Sequence, residues 1–135
     1  MIEKITLHLD DANRFVPNEP IDCNDLNPKA MLLYAGAKCA GLTLLHILEK
    51  ERIRPRRIEI HMSGELTTER VEAGSEFRSF NTIYNLEVSS ERDQARVGRA
   101  VNLAHEKYCG TIRMLGKIAP VTHEVAVVNT APAAV

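Results

Sequence analysis

The chain has 135 residues, with 17 basic and 18 acidic side chains, 44% hydrophobic residues, three cysteines and no tryptophan. That length fits one domain, and the mix of apolar and charged residues excludes disorder over the whole chain. A formal net charge of −1 argues against a nucleic-acid binder, which carries a basic excess. The densest basic run, Arg52-Ile53-Arg54-Pro55-Arg56-Arg57, stands among Glu49, Glu51 and Glu59 and reads as a solvated helix end.

In chain order, Lys4 to Leu9 alternates with period two and predicts a strand. Asp10 to Asn13 is a turn cluster, and Arg14-Phe15-Val16 begins a return strand cut short by Pro17 and Pro20. Asn27 is a favoured N-cap and Pro28 suits the first helical position, so a helix opens there and runs over Lys29 to Lys50. Leu32, Ala35, Cys39, Leu42 and His46 form one of its apolar stripes, while Leu33, Ala37, Ala40, Leu44 and Ile47 fill others. Apolar residues around most of the girth predict a helix buried on most sides. Pro55 prevents its continuation.

Two strands follow, Arg57 to Met62 with a break at Gly64, and Phe77 to Val88, joined by the polar segment Thr67 to Ser75 as a hairpin. Ser90, with Asp93 three residues on, starts a second helix. Val97, Val101, Ala104, Tyr108, Ile112 and Leu115 make one continuous face of it, with Cys109 beside that face and Gly116 as the stop. Val121 to Val128 is the last strand. The order β(β)αββαβ predicts an α+β fold, two long helices against antiparallel sheet, over residues 1–128, with a flexible tail at 129–135.

Cys23, Cys39 and Cys109 stand far apart and form no CxxC pair, which excludes a disulfide-stapled secreted scaffold. Met1-Ile2-Glu3-Lys4-Ile5 lacks the pattern of a signal peptide, and the apolar stretch Ala30 to Leu48 contains Lys38 and His46 and barely reaches membrane-spanning length. A cytoplasmic protein without a membrane span is expected, its thiols initially reduced. HExxH, GxSxG, Walker A and GxGxxG motifs are absent. Cys39 and Cys109 each lie in a predicted helix beside a small residue, Ala40 and Gly110, so packed helices would bring the two thiols within disulfide range. Inert core cysteines explain the same pattern. His105 and Cys109, four apart, suggest a metal site only if His46 or Cys39 joins them. A protonated His105 would instead lower a thiol pKa, whereas Asp22 and Asp25 disfavour a thiolate at Cys23.

Taken together, Asn27-Pro28 and the Leu/Ala-rich run to Cys39, then Leu44-Leu45-His46-Ile47-Leu48-Glu49-Lys50, resemble the OsmC/Ohr family, named for osmotic induction and organic hydroperoxide resistance. Ala100 to Cys109 is similar to that family's second cysteine helix, in the form of a subgroup with Glu-Lys-Tyr-Cys, and Val121-Thr122-His123-Glu124-Val125 also fits. The resemblance implies an intertwined homodimer with the two cysteine helices at its centre and sheets wrapped around them. It implies a thiol peroxidase for organic hydroperoxides, with Cys39 as the attacking thiolate, Cys109 as the resolving thiol, a lipoyl-type dithiol as reductant, and neither cofactor nor metal. Leu42, Ile112 and Met114 would suit an apolar hydroperoxide. Two departures bear on activity. The family's peroxidases carry a glutamate just after the helix-opening proline, in a network with an arginine; Lys29 and Ala30 stand there, and Arg14 is the candidate arginine. Gly110 replaces the proline that commonly follows the second cysteine. Loss of the glutamate favours the alternative, a non-catalytic small-molecule binder or redox sensor on the same fold.

Overall fold

The structure, a computed structural model, describes residues 1–130. Five strands form one sheet: β1 (Ile2–Leu9), β2 (Phe15–Pro17), β3 (Arg57–Leu66), β4 (Phe77–Val88) and β5 (Val121–Asn129), in the order β2-β1-β3-β4-β5. Against one face lie α1 (Pro28–Lys50), α2 (Glu91–Leu103) and α3 (Gly110–Ile118). The α+β class is as expected, but the sheet is mixed. β1, β2, β3 and β4 pair antiparallel, whereas β4 and β5 run parallel. The reason lies in the connection: residues 89–120 carry both later helices back along the sheet, a crossover that returns the chain to the starting end of β4.

Local signals place the elements. The Asn27 side chain accepts the Ala30 amide at 2.9 Å with Pro28 at the first helical position, and Ser90 accepts the Asp93 amide at 3.1 Å. Two predicted stops move. β3 passes through Gly64 to Leu66, because the missing side chain there makes room for the Phe77 ring; a Cβ would lie 2.5 Å from it. α3 passes Gly116 to Ile118, and Ala119, extended ahead of Pro120, ends it. Two residues of the expected tail are described. Asn129 is the end of β5, and the Thr130 amide bonds the Val88 carbonyl at 2.8 Å, while residues 131–135 lie outside the described residues.

Alternation then sorts the strands. Ile58, Ile60 and Met62 of β3 and Phe80, Thr82, Tyr84, Leu86 and Val88 of β4 face the helices, and the row Leu7–Ile60–Tyr84–Val125 crosses the sheet in register. By length and composition α1 is the one described helix apolar enough to cross a membrane. It lies along β1 and β3 on its small-residue side, burying Leu33, Gly36, Ala37, Ala40, Gly41, Leu44 and Leu48. The expectation of burial on most sides is therefore corrected. On the stripe that carries Cys39, Ala35, Leu42 and His46 are exposed, and Leu32 and Cys39 are half-buried. Close approach needs the bare backbone at Gly41, where a Cβ would sit 2.7 Å from the fully packed Phe15 ring.

The second predicted helix is not continuous. α2 gives way to a π-helical turn at Ala104–Tyr108, closed by the Cys109 amide on the Ala104 carbonyl at 2.8 Å. Cys109 then leaves helical geometry (φ −79°, ψ 104°) and α3 restarts behind it. A π turn takes an extra residue, so a spacing of three and four cannot be read through it. Val97, Val101, Ala104, Ile112 and Leu115 are buried as expected, but Tyr108 is rotated out and is 56% exposed.

Gly41→Ala gains about 1 kcal/mol of helix propensity and meets an aromatic ring held on all sides, an overpacking cost of about 1–3 kcal/mol. The expected outcome is a net loss of stability of about 1 kcal/mol in urea unfolding.

Candidate functional site

The break at Cys109 builds the site. A helix leaves its first amides without partners, and at α3 those amides belong to the residues just after Cys109. Cys39 projects from the middle of α1 toward this end, so the hydroxyl and amide of Thr111, the Cys109 thiol and the Thr43 hydroxyl all lie within hydrogen-bonding reach of its sulfur. Gly36, three residues back along α1, lets Leu115 of α3 press close, with 2.9 Å between its Cδ1 and where a Cβ would be.

The two thiols are placed unequally. Partial burial raises the Cys39 pKa, but the Thr111 hydroxyl and amide, the Cys109 thiol and the Thr43 hydroxyl outweigh it and hold the thiol below its ordinary value. Cys109 is wholly buried, and burial pushes it up to about 11. The Ile112 and Thr111 amides oppose that rise, and neighbouring Cys39 reinforces it. Of the pair, Cys39 is thus the thiol that gives up its proton first, and Cys109 the one that keeps it. Eleven residues beyond Pro28, Cys39 gains little from the α1 dipole; apart from Thr43, its donors come from the start of a different helix.

Beneath the pair is a row of aromatic and imidazole groups. The Tyr84 hydroxyl bonds His105 Nδ1 at 2.7 Å, the His105 ring stacks on His123 at 4.0 Å between centroids, and His123 Nε2 bonds Asn102 Oδ1 at 2.9 Å. Burial holds the His105 pKa down to about 4, with His123 adding to the shift, so the ring is neutral. A neutral His105 cannot supply the positive charge that would lower a thiol pKa, which corrects that expectation. Burial raises the Tyr84 phenol well above its ordinary range, and the charges of Cys109 and Cys39 act in the same direction.

The remaining candidates lie elsewhere. Arg14 is 72% exposed at its side chain and paired with Asp10 at 3.3 Å. Its neighbour Phe15 packs on α1 at Gly41, two residues and about 200° around the helix from Cys39. Lys29 donates to the Ala73 carbonyl at 3.3 Å, roughly 15 Å along the axis from Cys39. Cys23 is exposed in a short 3₁₀ turn. Among the described residues, no group of three or more His, Cys, Asp or Glu is disposed to hold a metal ion. Of the apolar residues named for a hydroperoxide, Ile112 is buried, while Leu42 and Met114 are exposed. Leu42, Thr43, His46, Ile47, Leu103 and Tyr108, with the charged Lys50 and Glu51 at one end, line an open groove of about 740 Å³, and of these Thr43 is the neighbour of Cys39.

Sequence reasoning located both thiols but missed Thr111, Thr43 and Tyr84. Cys-Gly-Thr is recognisable as a helix start only once the break is known, and Tyr84 reads as one more core residue of an alternating strand.

An α+β chain with two thiols facing each other between a long helix and a broken one belongs to a defined class. The sequence model of the OsmC-like protein family matches residues 21–124. The chain belongs to the OsmC-like family. Protein YhfA of Escherichia coli strain K12 is 31% identical over 102 residues, covering 76% of this chain and 73% of that protein. The OsmC-like protein from Mycoplasma pneumoniae shares the fold with a TM-score of 0.61 at 14% identity, over 96% of each chain. The organic hydroperoxide resistance protein OhrB of Bacillus subtilis has a TM-score of 0.56 at 18% identity, over 93% of this chain and 98% of its own.

Thr111→Val removes the hydroxyl from Cys39 and leaves the backbone amide. A bond to a charged group is worth ~1.5 kcal/mol, and half-exposure discounts it, so iodoacetamide alkylation of Cys39 near neutral pH is expected to slow about threefold. Peptide mass mapping reads the rate at Cys39 against Cys23 as an internal standard. A second expectation follows from His105. Unfolded, it titrates near the ordinary 6.5; folded, at about 4, so between these values the unfolded chain binds the extra proton. Its contribution to stability is complete above the unfolded pKa and is lost as pH falls toward 4. Urea midpoints measured from pH 7 to 4 are expected to fall less steeply in His105→Gln than in the unaltered protein.

Proposed function

We propose that this OsmC-like protein is a thiol-dependent peroxidase that reduces organic hydroperoxides with the Cys39–Cys109 pair, in the cytoplasm. The observation that carries the reading is the unequal pair itself: a half-exposed thiol with a lowered pKa in contact with a buried one with a raised pKa. A thiolate is the nucleophile, and a second thiol in contact is what a sulfenic acid needs to be resolved before further oxidation. The Cys39 thiolate attacks the terminal oxygen of ROOH, the O–O bond breaks, and RO⁻ leaves to take a proton as ROH. Cys39 then carries S–OH. The Cys109 sulfur attacks it, the S–O bond breaks, and hydroxide leaves with the Cys109 proton as water. A dithiol of lipoyl type reduces the resulting disulfide by exchange and is itself oxidised.

The groove beside Leu42, Leu103 and Tyr108 supports an apolar R group over hydrogen peroxide. The same exposed face, continued by Ala35, Met114 and Ile118, is where a second copy would cover the site in a homodimer. A second reading is a redox sensor or small-molecule binder with slow thiol oxidation. It is favoured by Arg14, whose partner is Asp10 and not a group at the thiols.

Reduced Cys23→Ser protein titrated with cumene hydroperoxide is expected to lose both remaining thiols at one equivalent, within seconds, with an intact mass lower by two hydrogens. Cys109→Ser is expected to hold a sulfenic acid that dimedone traps at Cys39, and Cys39→Ser to stay unreacted. Oxidation no faster than that of a free thiol, with no disulfide, defeats the peroxidase and leaves the sensor or binder.

A further inference from the structure

The π turn that delivers Cys109 is a wide piece of helix, and its side chains tell how it is held. Of residues 104–108, Glu106, Lys107 and Tyr108 point to solvent, Ala104 has no reach, and only His105 is both long and buried. His105 is gripped from two strands at once. Tyr84, fully buried in the middle row of the sheet between Ile60 and Val125, meets its Nδ1 at 2.7 Å with the rings edge-on at 88°. His123 of β5 stacks on its other side with the planes 23° apart, and Asn102 of α2 holds His123 in turn. A phenol both donates and accepts, so this bond forms with either tautomer of the neutral imidazole. Cys109 closes the same turn, its amide on the Ala104 carbonyl, so the anchored ring and the thiol belong to one unit.

We infer that Tyr84 and His105 are positioning residues for the thiol pair: their hydrogen bond pins the π turn to the sheet and so sets where the Cys109 sulfur meets Cys39. This rests on reading Cys39 and Cys109 as the working pair, and it adds that their disulfide equilibrium is tuned from below, by two groups that touch no substrate. Releasing the pin leaves both sulfurs in place on their elements but lets the turn wander, which lowers the effective concentration of one thiol at the other. Thr82 supplies a matched contrast. It lies on the same face of β4 two residues before Tyr84, and its hydroxyl is buried with no partner.

The test is the equilibrium of the Cys39–Cys109 disulfide with reduced and oxidised dithiothreitol, in the Cys23→Ser background, read by thiol alkylation and mass. Tyr84→Phe keeps the ring and loses the pin; its disulfide equilibrium constant is expected to fall about tenfold, a rise in potential of ~30 mV. His105→Phe breaks the same bond from the other side and is expected to shift the same way, so the comparison survives if Tyr84→Phe fails to fold. His105→Gln returns a hydrogen-bonding partner to the phenol and is expected to stay nearer the unaltered protein. Thr82→Val is expected to change nothing. A Tyr84→Phe or His105→Phe equilibrium within twofold of the unaltered protein, or moved to a lower potential, overturns the inference. A shift in Thr82→Val as large as that in Tyr84→Phe also overturns it, since any packing change in β4 would then suffice. No peroxide enters this measurement. Absence of hydroperoxide turnover with the potential shift intact sinks the peroxidase reading alone, and absence of any Cys39–Cys109 disulfide across the dithiothreitol range sinks both.

Discussion

The contact on which the rest depends is the one between the Cys39 sulfur and the first residues of α3. A sulfur deep inside its own helix has no free amide of that helix near it, and no cation reaches Cys39 from Arg14 or Lys29. A helix start brought in from the side solves the problem, because its unpaired amides and the Thr111 hydroxyl need an acceptor as much as a thiolate needs donors. For that start to exist at the right height, the segment after β4 has to stop being a helix at Cys109 and begin again. The π turn and the extended Cys109 backbone accomplish both within six residues. One backbone irregularity therefore creates the donor set, buries the second thiol and lays it against the first.

The remainder of the fold reads as support for that irregularity. The crossover of residues 89–120 makes β5 parallel to β4 and brings His123 over His105. The small residues of α1 face the sheet and let the helix settle low, which leaves its other apolar stripe, with Cys39, turned outward. Leu103, Tyr108, Met114 and Ile118 are exposed apolar side chains as well. A homodimer that covers that stripe would enclose Cys39 in a site that is dry on one side and apolar on the other. The raised Cys109 and lowered Cys39 pKa values show how a single low-dielectric neighbourhood yields opposite shifts. The thiol with more donors keeps the charge, and the better buried one keeps the proton.

Much of this was legible in the residues, wherever the signal is local. Asn27-Pro28 and Ser90 announce helix starts because capping is chemistry between neighbours, and β1, β3 and β4 announce themselves through alternation. The family resemblance reached the thiol pair, which composition and spacing alone left open. Three things were hidden. The direction of β5 follows from where the crossover ends and not from its own residues. Which stripe of α1 faces the sheet is not decided by hydrophobicity, since every stripe is apolar; the cluster Gly36, Ala37, Ala40 and Gly41 was the available clue, because only small side chains permit that approach. The break at Cys109 left no trace in a helical count, because Ala104, Tyr108 and Ile112 keep the spacing of an unbroken helix across it. The count therefore places Tyr108 in the core and gives no sign of Thr111.

The central claim is that the start of α3 makes Cys39 the thiolate of an unequal pair. Ultraviolet titration of thiolate absorbance in reduced Cys23→Ser protein tests it most directly. Two separate steps are predicted, the first below the range of an ordinary thiol and abolished by Cys39→Ser, the second well above it, at about 11. A single merged step at the ordinary thiol value would contradict the account.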